Sequence, residues 1–303
     1  MATRSDTTAG RPRGCVGRRV VITGATGTVG RQVARLLASE ASCEAVFLTR
    51  TPARARLAGR VARAEFADVA HLTRVFAHAD AVLIISNDPL RPDHDANIVS
   101  AAVAAGVGHL VKLSALAVTD PQAQDLVTNW QRATEDGVRR CGIRWTILRP
   151  RAFMTHTLDW VPDIRRDATV REPYPASRNA CIAPSDIARV ALRVLLEEGH
   201  HGRTYALTGP QALSAHDRVA QLGVVLGRPL ACVELTIAQA QERWRRRYPE
   251  AMVQALTESA ERQHAGAKEG TTRDVEDLLG RPAVSFPSWV NENAHLFGIP
   301  THA

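Results

Sequence analysis

The sequence feature that most constrains the fold is a short β-branched segment that runs directly into three regularly spaced glycines. Val20–Thr23 is followed by Gly24, Gly27 and Gly30 in a G-x-x-G-x-x-G spacing, and an amphipathic helical pattern begins at once. The glycines therefore form the turn between a strand and a helix N-terminus. Such a turn brings unpaired backbone N–H groups and the positive end of the helix dipole to one point. The pattern predicts a phosphate-binding loop, and the alternative is a glycine turn that binds nothing.

The first half of the chain alternates predicted strands with predicted helices. Alternation at this spacing is typical of right-handed βαβ units and a parallel sheet. The predicted strands are Arg19–Thr23, Ala45–Thr49, Arg63–Phe66, Ala81–Ser86, His109–Ser114 and Trp145–Leu148. The helices expected between them are Arg31–Ala38, Ala70–Ala77, Asp95–Ala105 and Leu126–Cys141. The order predicts an α/β fold, a Rossmann-like parallel sheet with helices on both faces.

Prolines interrupt this alternation after Pro150, and helical patterns dominate the remainder of the chain. We expect helices at Ser185–Glu198, Ser214–Leu226 and Ile237–Ala260, a short strand at Thr204–Leu207 and a mobile loop at His264–Thr272. We interpret residues 1–18 as a disordered leader and residues 19–150 as a Rossmann-like NAD(P)-binding domain. Residues 151–303 form a smaller, mostly helical substrate-binding lobe that is not fully independent of that domain.

Composition limits the partners of the chain. The net charge is +7, but residues 1–19 carry +4 of it, so the folded part is only weakly basic. We therefore expect no nucleic-acid partner, and no membrane partner because no apolar run is long enough to cross a bilayer. The five cysteines form no C-x-x-C pair, which argues against a metal site or a disulfide framework and for the cytoplasm. No signal peptide is expected. The expected partner is a small-molecule substrate, and a homo-oligomer is left open.

The residue after the second strand distinguishes between the two nicotinamide dinucleotides. In NAD-binding versions of this fold, an acidic residue ends that strand and accepts the ribose 2′-hydroxyl. Here Arg50 follows Ala45–Thr49. A guanidinium pairs with a 2′-phosphate, which a carboxylate would repel. The sequence therefore predicts NADP(H), and the alternative is that Arg50 is an ordinary surface arginine.

Polar residues after the other strands complete the predicted cofactor site, because ligands bind at the carboxyl ends of parallel strands. Asp68 is expected to receive the adenine amine, and Ser86 and Asn87 to line the ribose. Ser114 is expected close to the nicotinamide. The full set of predicted cofactor-binding residues is Gly24, Thr26, Gly27, Thr28, Val29, Gly30, Arg50, Asp68, Ser86, Asn87, Ser114, Gln131 and Pro150.

Several segments together carry a family resemblance. They are TGATGTVGR at Thr23–Arg31, LTR at Leu48–Arg50, Asp68, NIVSAAVAAGVGHLVKLSAL at Asn97–Leu116 and WQRATEDGVRRCGIRWTILRP at Trp130–Pro150. With these segments the chain resembles the atypical short-chain dehydrogenase/reductases of the NmrA-like type. That group includes NADPH:quinone reductases, triphenylmethane-dye reductases and redox-sensing regulators. The resemblance implies a Rossmann-like NAD(P)-binding fold with a small C-terminal substrate lobe, and Leu148–Pro150 passing near the nicotinamide.

The chain departs from the wider superfamily at its catalytic Tyr-x-x-x-Lys pair. With Glu135 as the anchor of the match, the two positions are occupied by Val127 and Gln131, which transfer no protons. Gln131 keeps the capacity to form a hydrogen bond with a ribose hydroxyl. Acceptors that delocalise negative charge, such as quinones, need no acid beside them. A chain without the pair is therefore better suited to them than to simple ketones.

The expected function is the NADPH-dependent reduction of a small conjugated or aromatic, quinone-like compound, with secondary metabolism as its setting. The catalytic candidates are Ser114, as a hydrogen-bond donor to the substrate, and Tyr174 and His156, as acids in the lobe. For His156 a structural role is the alternative. Two other functions stay open: a non-catalytic NADP(H)-binding redox sensor, and a non-redox enzyme such as a cyclase on the same fold.

Overall fold

The computed structural model describes residues 17–41 and 43–298, so the predicted leader lies outside the described residues except for Gly17 and Arg18. The strands are β1 (Arg18–Ile22), β2 (Cys43–Thr49), β3 (Arg60–Arg63), β4 (Ala81–Ile84), β5 (His109–Leu113), β6 (Arg144–Pro150), β7 (Thr169–Pro173), β8 (Arg203–Leu207) and β9 (Ala231–Leu235). The helices are α1 (Thr28–Leu37), α2 (Val69–Phe76), α3 (Asp93–Ala104), α4 (Leu126–Arg140), α5 (Val161–Asp167), α6 (Pro184–Leu196), α7 (Ala215–Val225), α8 (Ile237–Arg245), α9 (Glu250–His264), α10 (Asp274–Leu279) and α11 (Phe286–Glu292).

Seven strands form one parallel sheet in the order β3-β2-β1-β4-β5-β6-β8. Alternate residues of β1 point to opposite faces: Val20 and Ile22 pack with α1 and α6, and Val21 packs with α2 and α3. Both faces are therefore covered by helices, and the predicted fold class is confirmed. The strand order reverses between β1 and β4, which is where a doubly wound sheet opens a crevice for a ligand.

Two predicted element boundaries are wrong for identifiable reasons. The third strand is Arg60–Arg63 rather than Arg63–Phe66, because Val46 of β2 pairs with Arg60 and the ladder ends at Arg63. The apolar Phe66 that suggested a strand instead packs against the α2–α3 core. The long helix expected at Ile237–Ala260 is divided into α8 and α9 at Pro249, which has no N–H to continue a helix.

The chain returns to the main sheet after the predicted domain boundary at Pro150. Strand β8 pairs with β6 from Thr146↔Arg203 to Pro150↔Leu207, and α6 packs on α1. The rest of the lobe contains a two-stranded parallel sheet of β7 and β9 and an apolar core around Trp160, Phe286 and Trp289. Within the described residues, no helix is long and apolar enough to span a lipid bilayer. The division at 150 itself stays a prediction.

Candidate active site

The glycine loop forms the first wall of the site. Gly24 adopts a left-handed backbone with φ of 59°, and a Cβ at this position would lie 2.6 Å from the Ile85 carbonyl oxygen. Helix α1 makes its first internal bond from the Arg31 N–H to the Gly27 carbonyl, at 3.0 Å. The N–H groups of the first turn, at residues 28 to 30, therefore have no acceptor within the helix. Gly27 and Thr28 are exposed, and the loop fits a pyrophosphate, which the fold binds at this helix end.

Arg50 lies beside this loop, after β2. The Thr26 and Thr49 hydroxyl oxygens are 3.4 Å apart, and Arg31 Nε donates to the Thr26 carbonyl at 2.6 Å, so the loop and the end of β2 are adjacent. The Arg50 side chain is exposed and forms no ion pair among the described residues. The guanidinium is therefore available to a ligand, and its predicted contact with a 2′-phosphate stays a prediction.

Asp68 and Ser86, two of the predicted cofactor residues, form hydrogen bonds within the protein. Asp68 caps α2 by accepting a hydrogen bond from the His71 N–H at 2.8 Å. Ser86 accepts a hydrogen bond from Lys112 Nζ at 2.8 Å and donates one to Asp95 Oδ2 at 3.0 Å. Asn87, next in the chain, is exposed. Contacts of these three residues with a cofactor stay predictions.

The Lys112–Asp95 pair is a feature that the sequence reasoning missed. Both side chains are almost fully buried, 3.4 Å apart, and Lys112 also lies over the Trp130 ring. Thr134 donates a third hydrogen bond to Asp95 Oδ2. The available signal was a lysine in the middle of an apolar strand, HLVKL at 109–113, which requires a buried partner.

Ser114 is held by Glu135 at the end of β5. Its hydroxyl donates to Glu135 Oε1 at 2.6 Å, and Arg149 binds both carboxylate oxygens at 2.9 and 2.6 Å. Burial alone would raise the pKa of Glu135, but the bonds from Arg149 and Ser114 outweigh it and hold the pKa below its usual value. Glu135 is therefore an anion. Ser114 would have to turn away from it to donate to a substrate, so that role stays a prediction.

Gln131 lies one turn before Glu135 on α4. It is 5% exposed, and its Oε1 atom is buried without a hydrogen-bond partner among the described residues. An orphaned acceptor of this kind fits a donor supplied by a ligand. This observation supports the predicted contact with a ribose hydroxyl. Pro150, also predicted, is buried at the end of β6.

The two other catalytic candidates lie in the lobe. The His156 ring stacks on Phe153, with 5.7 Å between centroids, and burial lowers its pKa below the usual value. Tyr174 stacks on His264 at 4.3 Å and has a strained φ of 51°. No direct contact among the described residues joins Ser114, His156 and Tyr174.

Fold and site together define a Rossmann-like dinucleotide-binding protein: a parallel sheet, a glycine turn at a helix N-terminus and a basic residue after the second strand. Residues 24–198 match a family model described as NAD(P)H-binding. The chain belongs to this NAD(P)H-binding family, and its type is that of the NmrA-like, atypical short-chain dehydrogenase/reductases.

The named relatives of the chain are oxidoreductases, and two of them are named as reductases. It is 44% identical over 281 residues to the (4-alkanoyl-5-oxo-2,5-dihydrofuran-3-yl)methyl phosphate reductase of Streptomyces griseus, covering 92% of this chain and 99% of the relative. It is 30% identical to the NAD(P)H azoreductase of Xenophilus azovorans, with the same coverage. The structure of the Escherichia coli quinone oxidoreductase QOR2 with NADPH superposes with a TM-score of 0.80, at 25% identity, over 92% of this chain and all of that one.

The chain is therefore an NAD(P)H-dependent oxidoreductase. The predicted family, fold class, enzyme class and nicotinamide cofactor are confirmed. When bound, the cofactor supplies a hydride, and the described residues that fit it are the glycine loop, Arg50 and Gln131. Within the described part of the chain, no cluster of acidic, histidine and cysteine side chains forms a metal site.

Proposed function

We propose that the chain reduces the conjugated C=C bond of a small, electron-poor carbonyl compound, with NADPH as the hydride donor. The Streptomyces griseus relative carries this proposal, because it matches this chain over nearly the full length of both. The substrate in its name has a ring double bond conjugated with two carbonyl groups, the ring C5 carbonyl and the alkanoyl group. The Xenophilus azovorans relative is named as an azoreductase.

The residues at the two positions of the superfamily's catalytic pair support such an acceptor. Val127 and Gln131 stand where the superfamily has Tyr and Lys, so no acid is held at that position. An acceptor that takes a hydride at the carbon β to both carbonyls spreads the negative charge over two oxygen atoms. A proton from water then suffices to complete the saturated product. The chain's contribution is to bind, orient and shield the two reactants, which accounts for a large part of the barrier reduction in such reactions.

Arg50→Glu tests the coenzyme preference. Loss of a charge-assisted pair and gain of repulsion are expected to raise the KM for NADPH about ten- to a hundred-fold, while the KM for NADH changes little. The measurement is steady-state kinetics with both coenzymes. The matched control is Arg203→Glu, the same charge change at an exposed residue on the opposite edge of the sheet. Equal effects of Arg50→Glu on the two coenzymes would contradict the assignment.

The reaction class is tested by NADPH oxidation with purified protein. We expect turnover of an alkanoyl-dihydrofuranone and of a quinone, and at least about a hundred-fold lower kcat/KM for a simple ketone, which cannot spread the charge. Product analysis by mass spectrometry should show the gain of two hydrogens across the C=C bond. Tight NADPH binding without turnover of any conjugated acceptor would contradict the proposal and favour a redox sensor.

A further inference from the structure

Arg151 and Lys268 both follow β6 in the chain, and neither has a carboxylate within ion-pair distance among the described residues. Arg151 directly follows β6, and its N–H donates to the Leu207 carbonyl at 2.8 Å. Its side chain is partly buried, and Nε is shielded from solvent without a hydrogen-bond partner among the described residues. Arg149, two residues earlier, is neutralised by Glu135. A buried N–H donor without an acceptor is costly, so the contrast with Arg149 indicates that Arg151 is available to a ligand.

Lys268 is the second cation, on the loop between α9 and α10. Its carbonyl accepts a hydrogen bond from the Ala180 N–H at 3.0 Å, and its ammonium donates to Ser259 Oγ at 2.6 Å. A single bond leaves the other donors of the ammonium available. Within the described part of the chain, no carboxylate lies within ion-pair distance of Lys268.

The backbone brings these two cations together. The Ile182 N–H donates to the Ala152 carbonyl at 2.9 Å, two residues from the bond between Ala180 and Lys268. Arg151 and Lys268 are therefore anchored to one short segment. Burial is the main reason that the pKa of Lys268 is lowered to about 8, and the charge of Arg151 is a further one. At neutral pH the ammonium is still mostly charged.

The two carboxylates near this pair bind other residues. Asp120 pairs with Arg262, and Asp125 caps α4 by accepting from the N–H and hydroxyl of Thr128 at 3.0 and 2.6 Å. With Arg262 there are three cations beside these two carboxylates, so the net local charge is positive. The pair is also remote from the coenzyme phosphates, because β6 is three strands from β1, about 14 Å at the usual strand spacing.

We propose that Arg151 and Lys268 form the subsite for a phosphate monoester carried by the conjugated acceptor. A planar guanidinium and a point-charge ammonium are the two side chains that bind phosphate best. The substrate in the name of the Streptomyces griseus relative carries such a group. The proposal rests on the proposed function, since it assigns the substrate class to that same site.

The test compares (4-alkanoyl-5-oxo-2,5-dihydrofuran-3-yl)methyl phosphate with its dephosphorylated alcohol. For the natural protein we expect kcat/KM to be at least about ten-fold higher for the phosphate. Arg151→Gln and Lys268→Gln should reduce this ratio toward one and leave the Kd for NADPH unchanged, and Lys268→Arg should restore most of it. Arg178→Gln, at an exposed arginine near the same loop, is the control and should keep the ratio.

Calorimetry of the phosphate ester on the NADPH-loaded protein separates the two proposals. Binding that Arg151→Gln and Lys268→Gln weaken at least about ten-fold supports the subsite even if no compound is reduced, in which case only the proposed function fails. Three results would overturn the subsite: equal kcat/KM for ester and alcohol, ester binding that neither variant weakens, or a raised Kd for NADPH, which would assign the cations to the coenzyme. Melting temperatures verify that each variant is folded.

Discussion

Gly30→Ala is expected to lower the affinity for NADPH about ten- to a hundred-fold. A Cβ at residue 30 would lie 2.3 Å from the Gly24 carbonyl oxygen and 2.8 Å from Ala25 Cα, both backbone atoms that cannot give way alone. The start of α1 must therefore move away from the loop. That movement would misplace the N–H groups that bind the pyrophosphate, and each lost charge-assisted bond is worth about 1.5–3 kcal/mol. Overpacking of this kind also destabilises the fold by about 1–3 kcal/mol.

The measurement is calorimetric titration with NADPH beside a melting curve. Gly137→Ala is the matched control, because residue 137 lies within α4 and an added Cβ there meets no atom within 4 Å. The control should bind NADPH normally and be slightly more stable, since alanine favours helices. If Gly30→Ala binds NADPH as tightly as the natural protein, the glycine loop is not the pyrophosphate site.

Glu135→Gln is expected to reduce the free energy of unfolding by about 3 kcal/mol. The substitution keeps the shape of the side chain but removes the charge that neutralises Arg149 and Arg139. Breaking a buried pair costs about 3–5 kcal/mol, because the remaining charge is left without a partner. We expect the lower end, since Arg149 and Arg139 keep 17% and 32% of their side-chain surface exposed and water screens them partly.

Denaturant unfolding gives this free energy directly. Glu242→Gln is the control, since it removes an exposed i,i+4 pair with Arg246 whose contribution is under about 1 kcal/mol. A loss for Glu135→Gln no larger than that of the control would show that the buried network contributes little to stability. Such a result would also weaken the view that Glu135 fixes the position of Ser114.

The parts of the fold that the sequence predicted are those encoded by neighbouring residues. The turn from β1 to α1 needs its three glycines within seven positions, and the buried strands appear as short apolar runs. The third strand was misplaced because Phe66 is apolar for a different reason, its contact with helices α2 and α3. Sheet pairing, which set the true limits at Arg60–Arg63, is a long-range property.

The proposed phosphate subsite likewise depends on contacts between residues that are far apart in sequence. The sequence of the loop at His264–Thr272 is polar and contains two glycines, and it gives no sign of a long-range contact. In the structure the Lys268 carbonyl accepts a hydrogen bond from the Ala180 N–H, nearly ninety residues away in sequence. A usable signal was composition: the chain has 38 basic residues, and only Lys112 and Lys268 are lysines. Lys112 is fully buried and Lys268 is partly buried, and a lysine withdrawn from water needs a specific partner.

The pairing of β8 with β6 has a consequence for how this protein can be divided. A chain that stopped at Pro150 would leave the outer backbone groups of β6 without the acceptors and donors that β8 supplies. Bare edges of this kind recruit other strands and lead to aggregation. Strand β8, which follows Pro150 in the chain, covers this edge of the sheet. A stable fragment therefore has to extend through Leu207.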